Sequence, residues 1–286
     1  MNNGQIKILR ENFEELSKKL NITTSQRELT VKCLADILLN ASTDLETVLE
    51  SFKEFLPDAS PREEITFFSE LSSSKLQSAI KSYVFIGSNE STPAGAHSKI
   101  AFVKNKYTDI AFEKFSSSVA NAKPVYSTSF KESCESVASG SCEFCILPIA
   151  NSTDGRLISF YTLLDRYDLK ICEVFSIEDE TAQSIYYARV GRSCKEPSYR
   201  HSLEQEFIFE FSILSSSADF TTPLLLAAEA AGARLISINS IPIEYTSTLQ
   251  SFFFSFSVSA KRMLPFRLFV AFSEQSSTPL GLYQSK

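Results

Sequence analysis

The chain has 286 residues, 43% of them hydrophobic and 22% charged, and a formal net charge of −6. That length allows one large domain or two to three ordinary ones. The acidic balance argues against a nucleic-acid surface, which needs clustered Lys and Arg to neutralise phosphates. No apolar run approaches the roughly 20 residues of a membrane span. The N-terminus carries Glu11, Glu14 and Glu15 where a signal or transit peptide would be apolar or free of acids. A soluble, cytoplasmic protein is therefore expected.

Residues 1–81 read as a helical region. Phe13, Leu16 and Leu20 follow the i, i+3, i+7 spacing of one helix face. Three capping boxes follow, at Ser25–Glu28, Thr43–Glu46 and Ser60–Glu63, the last with Pro61 at the first helical position. The apolar faces are expected at Leu29/Cys33/Ile37, Leu45/Val48/Leu49/Phe52 and Ile65/Phe68/Leu71. No motif in this region carries chemistry.

From residue 82 to 193 the pattern becomes an α/β lobe. Strands are expected at "YVFIG" (83–87), "PVYSTSF" (124–130), "EFCILPI" (143–149), "LKICEVFSI" (169–177) and "SIYYARVGR" (184–192). Helices are expected at 131–138 and 160–166. The third strand is apolar throughout, as for a parallel strand covered on both faces. It ends on a polar knot, Asn151-Ser152-Thr153-Asp154-Gly155. Such a loop fits either a ligand site or a plain turn whose side chains satisfy local backbone groups.

Residues 194–205 are polar and read as a linker. Residues 206–286 alternate as βαββαβ, a ferredoxin-like sandwich, with "SFFFSFSVS" (251–259) the most regular strand. Its phenylalanines exceed what one two-helix layer should need, so a homodimer through these sandwiches is expected.

Cys142 and Cys145 form a C-x-x-C, but no second one exists and the chain has only two histidines. A zinc site needs four converging ligands, so no metal is expected. The six cysteines are expected to be reduced. Cys145 and Cys172 read as small core residues.

The order of these segments resembles prephenate dehydratase followed by an ACT regulatory domain. The family's strongest signature is a strand leading into Pro-Ile-Glu-Asn-Ser-Thr-Glu-Gly. Here it reads Pro148-Ile149-Ala150-Asn151-Ser152-Thr153-Asp154-Gly155, and six of the eight positions match. The resemblance implies a periplasmic-binding-protein-like fold whose two lobes close on prephenate, releasing water and carbon dioxide to leave phenylpyruvate. It implies no cofactor, and a small aromatic ligand, prephenate or phenylalanine.

Departures from the pattern are extensive. The family's Gly-Thr-Phe/Tyr-Ser loop is missing after Gly87. Its motif Glu is Ala150. Its Thr-Arg-Phe, whose Thr hydroxyl is tied to dehydration, stands here as Ile185-Tyr186-Tyr187. The second lobe, expected between Phe175 and Ile177, is missing. The substrate residues carried over are Asn151, Ser152, Thr153 and Tyr187. The phenylalanine-sensing motifs are degenerate, at Asp219-Phe220-Thr221 and at Asn239-Ser240-Ile241-Pro242, where only Ser240 and Pro242 remain. Two readings follow. One is a catalytically inactive binding, regulatory or scaffolding relative. The other is an active dehydratase whose missing wall comes from another subunit or from the N-terminal helices. Those helices have apolar faces to bury, so they are expected to dock on the α/β lobe.

Overall fold

A computed structural model describes the chain except residues 1–22, 43, 85–97, 120, 181, 195–204, 244–248, 273–275 and 285–286. Helix α1 covers 23–41. It is followed by α2 (Leu45–Phe55), α3 (Pro61–Ser72) and α4 (Gln77–Tyr83). The lobe comprises β1 (Lys99–Val103), α5 (Lys106–Ser116), β2 (Lys123–Ser127), α6 (Phe130–Ala138), β3 (Phe144–Asn151), β4 (Gly155–Arg156), α7 (Ile158–Arg166), β5 (Lys170–Glu178) and β6 (Ser184–Gly191). The C-terminal unit comprises β7 (Glu206–Ser215), α8 (Thr221–Ala230), β8 (Arg234–Pro242), β9 (Gln250–Ser259), α9 (Ala260–Phe272) and β10 (Ser276–Tyr283).

Helix starts follow local chemistry. At α3 the Ser60 hydroxyl accepts from the Glu63 N–H, while the Glu63 carboxylate accepts from the Ser60 N–H. This is the expected capping box. At α2 the cap is Asp44, one residue beyond the expected Thr43, and its carboxylate accepts from the Thr47 N–H at 2.9 Å. Ser25 lies inside α1 and does not cap it. The stripe expected to be buried on α1 is also displaced. Leu29 and Ile37 are more than 60% exposed, and Val31, Ala35 and Leu38 are buried instead. Two apolar stripes run along this helix, both at helical spacing, and packing selects the second.

Of the strand expected at 83–87, Tyr83 closes α4 and 85–87 lie outside the described residues. The first described strand of the lobe is β1, which pairs in parallel with β2 and β3. On its other side β3 pairs antiparallel with β6, and β6 with β5. A single tight turn joins β5 to β6, closed by the Asp179 N–H donating to the Gln183 carbonyl at 2.8 Å. No second lobe stands between them.

The C-terminal strands lie in the order β10-β7-β9-β8, the 4-1-3-2 arrangement of a βαββαβ sandwich. Strand β10 also pairs in parallel with β5, so one ten-stranded sheet runs through the lobe and the C-terminal unit. The join is tight at Gly281. A Cβ there would lie 2.8 Å from the Ile171 Cβ, so only glycine fits.

One face of the C-terminal sheet presents Phe207, Phe209, Phe211, Phe254 and Phe256 to α8 and α9. Helix α3 packs on α8 and α9 in turn, and Phe68 meets Phe272 edge-on at 5.6 Å. The described helices of this region therefore dock on the helix layer of the C-terminal unit, whereas the expectation placed them on the lobe. The other face, with Phe253, meets α7 through Tyr161 at 5.9 Å. Strand β9 is thus buried on both faces from Ser251 to Val258. The phenylalanine surplus finds its partners within the chain.

Not every cysteine is reduced. Cys172 on β5 and Cys194 beyond β6 form a disulfide, with Cα atoms 5.0 Å apart. The β5–β6 hairpin brings them together. Cys142 precedes β3 and Cys145 lies on it. Both are buried beside Cys134 in one cluster. A hydrogen bond with Cys134 and burial push the Cys145 thiol well up, and burial pushes up that of Cys142. Neither thiol is activated. Among the described residues no group of His, Cys, Asp and Glu is arranged to hold a metal, and no helix is long and apolar enough to cross a membrane.

Candidate functional site

The polar knot sits where β3 turns back into β4. Asn151 Oδ1 accepts from the Thr153 N–H at 3.0 Å and from the Asp154 N–H at 2.5 Å. Its Nδ2 donates to Asp154 Oδ2 at 2.9 Å. This is an Asx turn closed on itself, and Gly155 completes it at φ +72°. Ser152 ties the turn to β6. Its N–H donates to the Ser184 carbonyl at 2.8 Å, and its Oγ accepts from the Ser184 N–H at 3.1 Å. Thr153 is exposed. The β3–β6 register sets Asn151 opposite Ile185. Ile185, the expected counterpart of the family's Thr, thus stands beside the loop with only an aliphatic side chain.

Tyr187 does not join this site. It is buried among Ile100, Phe102 and Phe115 on the α5 side of the sheet, and burial raises its phenol. Its neighbour Tyr186 takes the pocket side. Asn239, Ser240 and Pro242 lie on β8, opposite Phe253, Phe252 and Gln250. Strand alternation turns Asn239 toward α7 and Ser240 toward the helix layer. Asp219 and Phe220 lie elsewhere, in a pocket shared with Phe52 and Lys53 of α2. The two segments expected to correspond to the sensing motifs therefore do not converge within one chain.

A residue that sequence reasoning missed organises the region. Arg156, directly after the knot, is largely buried, and its Nη2 lies 2.5 Å from Glu210 Oε1 on β7. The same nitrogen donates to Ser255 Oγ on β9 at 2.8 Å. Glu210 is 1% exposed and also accepts from Tyr161 at 3.0 Å, Tyr283 at 2.9 Å and Ser255 at 3.0 Å. Burial would discharge Arg156, but Glu210 outweighs it and holds the guanidinium charged. Burial, with Glu210 beside them, pushes both tyrosine phenols up, so they remain donors. The only local sign in the sequence was an arginine at the knot and a glutamate amid an apolar strand. Their pairing across 54 positions had none.

Beside this network lies a pocket of about 390 Å³. Its walls are Ala150, Asn151, Ser152, Gly155 and Arg156 from the knot, Val174 and Tyr186 from the hairpin, and Ile208, Ile236, Ser237 and Tyr283 from the C-terminal sheet. A mostly apolar lining with a few convergent polar groups is the usual form of a small-molecule site. Two of the carried-over residues, Asn151 and Ser152, share this wall with Ala150, while Thr153 and Tyr187 do not line it.

Residues 103–181 match the family model for prephenate dehydratase. The chain is prephenate dehydratase-like. The match runs from the end of β1 to the β5–β6 turn and contains the knot. No curated protein matches the chain at a significant level. Among solved structures, prephenate dehydratase from Streptococcus mutans aligns at 18% identity and TM-score 0.52, over 65% of this chain and 97% of that one. Prephenate dehydratase in complex with L-Phe from Arthrobacter aurescens aligns at 12% and 0.50, over 65% and 90%. GqqA, described as a novel type of quorum quenching acylase, aligns at 18% and 0.50, over 66% and 95%. At these identities the likeness is one of fold. The loop after β1 reads Lys104-Asn105-Lys106-Tyr107-Thr108. The family's Gly-Thr-Phe/Tyr-Ser is absent there too. Thr108 is fully buried, and its hydroxyl donates to the Val103 carbonyl at 2.6 Å.

Proposed function

We propose that this prephenate dehydratase-like chain no longer dehydrates prephenate and instead binds a small aromatic molecule in the pocket between the knot and the C-terminal sheet. The observation that carries this reading is Ile185 in register with Asn151. An aliphatic side chain cannot protonate a leaving hydroxyl, and such assistance is worth roughly a hundred- to ten-thousandfold. The hydrogen-bonding capacity of Asn151 is also largely taken up by its own turn. A cleft with one wall neither excludes water nor fixes a reactive geometry. The described N-terminal helices do not supply the other wall, because they cover α8 and α9 on the opposite face of the sheet. A dehydratase of the same fold in complex with L-Phe supports an aromatic ligand.

In this reading the βαββαβ unit is a degenerate ACT domain that pairs with a second copy. The support is β8, an edge strand with Leu235, Ile236 and Ile238 each more than a third exposed. A cytoplasmic binding or regulatory subunit is the role that follows. The test is direct. Purified protein incubated with prephenate should form no phenylpyruvate above background, while calorimetry with L-phenylalanine should show saturable binding. Phenylpyruvate production that Asn151→Ala abolishes would overturn the non-catalytic reading.

A further inference from the structure

The pocket beside the knot has a charge problem that its geometry solves. Arg156 is the one charged side chain among the described residues that line it. An isolated arginine in a mostly apolar wall would select anions, because its bidentate donors match a carboxylate. Here that role is already filled from behind. Glu210 lies 2.5 Å from the guanidinium, is itself 1% exposed and does not line this pocket. Tyr161, Tyr283 and Ser255 all donate to Glu210, so three neutral donors keep its carboxylate in place. The charge facing the ligand is therefore balanced before any ligand arrives.

We infer that Glu210 is a charge-balancing, positioning residue that makes this pocket select aromatic molecules without net charge, neutral or zwitterionic, over aromatic mono- and dicarboxylates. This rests on the proposed small-molecule role of the same pocket and adds the ligand class. An anion entering the pocket would lose its hydration without gaining an uncommitted cation. It would also lie near the Glu210 carboxylate, and like charges brought close are a means of rejecting a wrong partner. A ligand of no net charge meets neither penalty and keeps the apolar walls of Ala150, Val174, Ile208 and Ile236. The family's dianionic substrate is thus the species that this arrangement disfavours most.

The experiment is calorimetric titration of the full chain with four probes: phenol, L-phenylalanine, phenylacetate and phenylsuccinate. Wild-type protein should bind phenol or L-phenylalanine and should bind phenylsuccinate at least roughly tenfold more weakly. In Glu210→Gln the arginine loses its counter-charge but keeps neutral neighbours. The order should then reverse, with the carboxylates gaining roughly ten- to a hundredfold. Glu210→Asp should keep the wild-type order. A general loss of structure would weaken all four probes together and could not reverse their order. Circular dichroism of each variant identifies any that fails to fold, and the wild-type ranking still decides in that case. Wild-type preference for phenylsuccinate, or an unchanged order in folded Glu210→Gln, would overturn the charge inference while leaving a ligand pocket. Binding of no probe to either protein would overturn the pocket reading and the inference together.

Discussion

The two faces of the C-terminal sheet are stabilised in opposite ways, and β9 shows both within ten residues. Toward the helices, Phe254 and Phe256 stack on Phe211 with ring centroids 5.3 and 6.0 Å apart. Phe266 closes on Phe256 at 5.1 Å. Each such contact is modest and replaceable. Toward the lobe, the same strand offers Ser255 to the Arg156–Glu210 pair. Beside the packing of Phe253 on Tyr161, the polar contacts on that face are few, and each depends on the others, because a buried charge without its partner is expensive. The apolar face should degrade gradually under substitution, and the polar face should fail abruptly.

The largest effect should come from breaking the polar face at one end. Glu210→Ala leaves the Arg156 charge buried and removes the acceptor for two tyrosines and a serine. Losing one member of a buried pair costs about 3–5 kcal/mol. With both replaced, Arg156→Met with Glu210→Leu, the protein should be more stable than Glu210→Ala, because no uncompensated charge stays buried. It should still be less stable than wild type, because two tyrosines and a serine lack their acceptor. Urea midpoints of the single and double variants measure this. A double variant as unstable as Glu210→Ala would show that the network does more than cancel two charges.

The same contrast explains what the sequence made legible. The apolar face was written locally. Alternation in "SFFFSFSVS" identified β9 and the periodicity of 45–52 identified α2, because burial imposes a repeat on neighbouring residues. The knot was legible as a motif, since its hydrogen bonds close within four residues. Features that depend on distant partners were not legible. Leu29/Cys33/Ile37 and Val31/Ala35/Leu38 are equivalent stripes until α1 is docked. The apolar run "YVFI" before Gly87 resembled a strand more than the five-residue β1 did, although the helix extends through Tyr83. The Cys172–Cys194 bridge requires the hairpin, and the Arg156–Glu210 pair requires β7 to lie against the knot. The resemblance assigns Tyr187 to the site, and the pleat turns it to the other side.

A second substitution tests whether the polar face depends on the continuity of the sheet. Gly281 is where β10 meets β5, and a Cβ would fall 2.8 Å from Ile171 Cβ and 3.0 Å from its carbonyl oxygen. Gly281→Ala must push the two strands apart, and such overpacking typically costs 1–3 kcal/mol. Tyr283, two residues along the same face of β10, donates to Glu210. The strain should therefore reach the polar network and spare the phenylalanine face. Hydrogen exchange should quicken at β5, β10 and the knot, with α8 and α9 unchanged. Uniform acceleration across both faces would mean that the two are not separately held.

The smallest effect concerns the outer cover of the apolar face, where α3 sits on α8 and α9. Ser60→Ala removes the cap of α3 and should cost about 1 kcal/mol. The partner in that box, Glu63, adds a dependence on pH. Burial pushes its carboxyl up, but hydrogen bonds from Ser60 and the Arg27 guanidinium 2.6 Å away outweigh it, so the carboxyl lies below its ordinary value. A carboxyl lowered in the folded state contributes stability that is present above its unfolded pKa of about 4.3 and is lost as pH falls through the folded value. Wild-type protein should therefore lose stability as pH falls below about 4.3, and Glu63→Gln should lose less over the same interval. The pair of urea titrations at pH 6 and pH 3.5 measures the difference. If the two proteins fall in parallel, the acid sensitivity belongs to other carboxylates, and the capping box contributes nothing that depends on the charge of Glu63.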